Sequence, residues 1–135
     1  MVLSALASSN SLPTITHFRC DPNKFWFSEG KESNVELLSN AIRAMKNLTY
    51  LNLFDSRFST EAADKVFSAI VANAEQNPDL VDINLFEAGG YDNKKFSSSA
   101  KEHIAALTAK GLTIAQTEEQ REEMNMRYHG NKHGE

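Results

Sequence analysis

Ser98 and Lys101 satisfy S-x-x-K, the spacing that serves serine acyl transfer with the serine as nucleophile and the lysine as base. The companion motifs of that chemistry are missing, and Ser97-Ser98-Ser99 falls where a helix needs a cap, so the run reads as a cap. Cys20 and His17 carry the side chains of a thiol nucleophile and its base, but three apart in one strand they project to opposite faces. His129 and His133, at i and i+4, have the spacing of two metal ligands on one helix face. Gly130 lies between them and no third ligand is near, which favours a solvated tail. No P-loop lysine and serine follow Gly89-Gly90, so the pair reads as a turn and not a phosphate cradle. Asn47-Leu48-Thr49 spells a glycosylation acceptor but leads into a strand. The sequence therefore points to no catalytic group, no metal and no cofactor, and the chain is read as non-enzymatic.

The elements that would carry binding surfaces are more legible. A length of 135 residues fits one domain, and a net charge of -4 gives no basic excess to suggest nucleic acid as a partner. No apolar run approaches the roughly 20 residues of a membrane span. The single cysteine excludes an internal disulfide framework and fits a reducing compartment, so a cytoplasmic location is expected. The N-terminus has no basic segment before its short apolar stretch, and no secretory signal is read there.

The stretch from Leu48 to Ile83 organises the rest. Leu51 and Leu53 alternate with Asn52 and Phe54 as a short strand with one face buried. Ser59-Thr60-Glu61 then caps a helix whose Ala63, Val66, Phe67, Ile70, Val71 and Ala74 form one apolar stripe. Asn77-Pro78-Asp79 stops it, and Leu80, Ile83 and Leu85 restart the strand. Upstream, Leu12, Ile15 and His17 are read as the first strand's inward positions, with Cys20 at the polar ladder position and Phe25-Trp26-Phe27 in an enlarged loop. The helix from Ser33, capped with Glu36, presents Val35, Leu38, Ala41, Ile42 and Met45. A third helix runs from near Ser99 to Lys110-Gly111, before a last strand, Leu112-Thr113-Ile114. Val2 to Leu12 aligns without gaps on Leu38 to Leu48, as if the chain begins inside a repeat. The expected layout is a repeat domain over 1–116, with strands near 12–18, 48–54, 80–86 and 112–114. A charged helix and disordered tail are expected over 117–135.

The spacing Leu48-x-x-Leu51-x-Leu53-x-x-Ser56-x-Phe58 fits L-x-x-L-x-L-x-x-N/C-x-L, and a full helix follows it. On these residues the chain resembles leucine-rich repeats of the ribonuclease-inhibitor-like class. The resemblance implies an α/β fold, a short right-handed solenoid with about four parallel concave strands and convex helices, and recognition of proteins without a cofactor. Phe18, Phe54 and Phe86 are expected in one register on the concave face, a patch of the size that marks an interaction site. Tyr50, Asn52, Asp82 and Asn84 are expected beside them as its polar surround. The expected partner is another protein, with neither nucleic acid nor membrane, and pairing of two copies through the same rings is an alternative. The rival reading is a structural C-terminal cap or self-association segment of a larger leucine-rich-repeat protein. A bacterial effector delivered to the host cytosol would be one example.

Overall fold

The computed structural model describes residues 14–20, 32–89 and 93–129. Within them four strands, β1 (His17–Arg19), β2 (Tyr50–Asn52), β3 (Asp82–Asn84) and β4 (Thr113–Ala115), form one parallel sheet in chain order. Each pair of consecutive strands is joined through a helix: α1 (Glu32–Ala44), α2 (Thr60–Gln76) and α3 (Ser98–Ala109). A fourth helix, α4 (Glu118–His129), follows β4. The protein is thus of the parallel α/β class. No described helix is long and apolar enough to cross a membrane.

Local chemistry accounts for the helices. Ser59 and Ser97 sit in extended backbone and accept from the amides of Ala62 and Ala100, satisfying a donor that a helix start would otherwise leave bare. The serine run is therefore a cap, as its position implies. At the far end of α3, Gly111 adopts a φ of 102°. Its amide and that of Leu112 donate back to Thr108 and Leu107, a left-handed closure that favours glycine. The inward stripes of α1, α2 and α3 meet Leu51, Leu53, Ile83 and Leu85 of the strand segments in one core. Leu38, Ile42, Phe58, Phe67 and Ile70 are fully enclosed there.

The strands are shorter than expected, three paired residues each, and the first sits in a different register. Phe18 aligns with Leu51, Leu51 with Ile83, and Ile83 with Ile114, at intervals of 33, 32 and 31 residues. The expected alignment placed Phe18 with Phe54, three residues further along. The inward residues of the first unit are accordingly Ile15, Phe18 and Cys20, while His17 is exposed and paired with Tyr50. The reason is burial: this register puts a phenyl ring and a thiol inside, where the other would enclose an imidazole. Cys20 is a core residue, not a ladder residue. Ser56 is fully buried and donates its hydroxyl to the Leu53 carbonyl.

Two asparagines bind successive units together. Asn73, enclosed on α2, donates to the carbonyls of Ile42 and Met45 at 2.8 and 2.9 Å, satisfying the end of α1. Asn77 donates to the Leu48 carbonyl and to Asn73 Oδ1. The stretch Val2 to Leu12 that aligns on Leu38 to Leu48, the Phe25-Trp26-Phe27 loop, most of the turn after Gly89 and the tail from Gly130 lie outside the described residues.

Candidate protein-binding face

The outward residues of the strands form two rows. His17, Tyr50, Asp82 and Thr113 stand side by side, as do Arg19, Asn52, Asn84 and Ala115. Tyr50, Asn52, Asp82 and Asn84 share the sheet face turned away from the helical core, but they were expected on an open face and all four are buried. Phe18 is absent from that face, because it lies in the main core at 8% exposure. The expected three-ring ladder is therefore two rings, Phe54 and Phe86, stacked with centroids 5.9 Å apart and planes 5° from parallel.

Asn52 and Asn84 do backbone work. Each side-chain oxygen accepts from the amide two residues on, Phe54 and Phe86, at 3.0 and 3.1 Å. The next residues, Asp55 and Glu87, then turn through left-handed backbone with φ of 57° and 56°. The repeated Asn-Leu-Phe-acid sequence thus ends each strand with the same turn, and that turn aims both phenylalanines alike. The amide of Asp55 donates to the Phe86 carbonyl, which ties the two turns together.

Helix α4 lies across this face. Thr117 and Gln120 cap its start reciprocally: the hydroxyl accepts from the Gln120 amide, and Gln120 Oε1 accepts from Gln116 and Thr117. Arg121 then reaches over both phenyl rings, its guanidinium carbon 5.3 Å from the Phe54 centroid and 5.6 Å from that of Phe86. One turn on, Met124 is fully enclosed with Tyr50 and Ala115. Another turn on, Tyr128 stacks on Tyr50 at 4.0 Å, with His17 edge-on at 5.3 Å. The Tyr128 hydroxyl donates to Asp82 Oδ2, and Arg127 Nη1 forms an ion pair with Oδ1 at 3.0 Å. Both oxygens of a carboxylate that is 3% exposed are therefore met from α4.

Burial pushes the Tyr50 hydroxyl above its ordinary pKa, against a smaller opposite effect of its hydrogen bond with Asn84. Burial and then the Asp82 carboxylate raise that of Tyr128. Sequence reasoning missed the Arg121, Arg127 and His17 contacts. The available signal was Arg121, Met124 and Tyr128 at i, i+3 and i+7, one face of a helix otherwise made of charge. Among the described residues no cluster of three or more His, Cys, Asp or Glu side chains is placed to hold a metal ion. No protein-family model, curated protein or solved structure matches the chain.

Proposed function

We propose that the chain is a leucine-rich-repeat solenoid of the ribonuclease-inhibitor-like class that binds another protein through the sheet face built by Tyr50, Asp82, Phe54 and Phe86, without catalysis. The repeat reading is supported by parallel strands in chain order, one helix per crossover, and inward residues at nearly constant intervals. The observation that carries the binding reading is the chemistry of the face. It holds stacked aromatic rings, a desolvated carboxylate and a two-ring phenylalanine patch only half-buried. Aromatic anchors around a few convergent polar groups are what protein interfaces concentrate at their centres.

The test is photo-crosslinking in a native lysate with p-benzoylphenylalanine at position 54 or 86 of the full chain, and at Lys65, exposed on α2, as control. One defined adduct from 54 and 86 but not from 65 is the expected result. Equal adducts from all three positions, or none, overturns the reading. A second reading, a structural end cap, is favoured by the complete burial of Met124, since α4 then closes the sheet face permanently.

A further inference from the structure

Helix α4 is held unlike the other helices. Of its side chains from Glu118 to Tyr128 only Met124 is buried, and Arg121, Asn125 and Tyr128 are half-buried. Glu118, Glu119, Gln120, Glu122, Glu123, Met126 and Arg127 are exposed. By contrast α2 buries Ala62, Ala63, Val66, Phe67, Ala69, Ile70 and Asn73. A helix this polar has little reason to form by itself in water, so its structure and its seat on the sheet depend on each other. Its contacts are those of a helical ligand in a groove, with anchors at i, i+3 and i+7.

Resting on the protein-recognition reading, we propose that α4 is an intramolecular occupant of a helix-binding face. The partner is then a helix presenting arginine, an apolar residue three positions on and tyrosine seven positions on, and it displaces α4. Each part of that pattern has a receptor already in place. A guanidinium takes the Phe54-Phe86 pair, an apolar chain the space beside Tyr50 and Ala115, and a phenol the Tyr50 ring and the Asp82 carboxylate. A basic residue beside the tyrosine, as Arg127 is beside Tyr128, completes neutralisation of Asp82. Release strands no group in a dry interior, because Asp82, Tyr50 and the phenyl rings all face the space α4 vacates. Displacement thus exchanges one helix for another, and the solenoid core is untouched.

The experiment uses the full chain and a capped synthetic peptide of residues 116–129. Met124→Glu puts a charge at the one buried position of α4 between Glu118 and Tyr128 and leaves the sheet residues intact. Hydrogen exchange reads whether α4 has left, and amide chemical shifts of residues 50–55 and 82–87 read peptide binding. The expected result is loss of α4 protection in Met124→Glu and binding of the peptide about tenfold or more tighter than to wild type, whose face is filled. A peptide carrying Tyr128→Ala is expected not to bind. Should Met124→Glu fail to fold, Arg127→Glu, at a half-exposed side chain facing Asp82, opens the face by repulsion and takes the same titration. Equal binding to wild type and variant, shifts away from the two segments, or α4 still protected in a folded variant overturns the proposal. So does a dimer by light scattering in which a second copy's α4 fills the face. If the peptide fails on the opened face while crosslinking from 54 and 86 persists, the helix class is wrong and protein recognition stands. If both fail, both readings fall.

Discussion

The Tyr50-Tyr128 stack ties the docking of α4 to a proton at each hydroxyl. Both phenols ionise above their ordinary range in the folded chain, chiefly because burial disfavours the phenolate. With α4 detached, Tyr128 returns to its ordinary value of about 10. The stabilisation is therefore full below about pH 10 and is lost as pH rises through the higher folded values, since the detached state gives up its proton first. Of the three tyrosines in the chain, Tyr50 and Tyr128 are expected to ionise late and together with release of α4. Tyrosinate absorbance followed against pH checks this, and three tyrosines titrating together near the ordinary value would refute it. At this scale the sequence was half legible. Alternation along a strand placed Tyr50, Asn52, Asp82 and Asn84 on one face, but it carried no sign that the two asparagines turn the backbone. Nor could alternation tell Met124, fully enclosed, from Met126, 61% exposed; only the i+4 distance from Met124 to Tyr128 separates them.

Between elements, the joint that matters most is the asparagine pair on α2. Asn73 adds a second donor, from inside the core, to the carbonyls of Ile42 and Met45, which also accept from the amides of Met45 and Leu48. Asn73→Ala removes both of these bonds and the one that Asn77 Nδ2 donates to Asn73 Oδ1, and is expected to cost about 1 to 3 kcal/mol by urea unfolding. A loss below half of the lower figure would mean that water reaches the site. Neither asparagine stands out in the sequence, because asparagine near a helix end reads first as a stop signal, which Asn77 also is. The β2 and β3 units were legible since their leucines alternate and a capped helix separates them. The first unit misled for a physical reason: Leu12, Ile15 and His17 share the spacing of Ile15, Phe18 and Cys20, so two registers satisfy one pattern. Only the cost of enclosing an imidazole, or the evenness of 33, 32 and 31 residues, separates them.

Over the whole molecule the sheet carries two unequal cores. The larger binds three helices to the strands from one side, and the smaller holds α4 to the other through Tyr50, Ala115 and Met124. The parallel α/β class followed from the alternation of strand and helix signals, while the covering of the second face did not, because α4 has the composition of a solvated helix. The same layout seals the chain's single thiol. Cys20 lies 5% exposed at the end of β1, its amide bonded to the Asn52 carbonyl, on the helical side of the sheet and away from α4. A thiol reagent is expected to reach it when the helical side of the first unit opens, so the labelling rate at increasing reagent concentration times that opening. Lifting α4 alone should leave the rate unchanged, which makes Cys20 a native reporter that distinguishes opening of the first unit from release of the last helix.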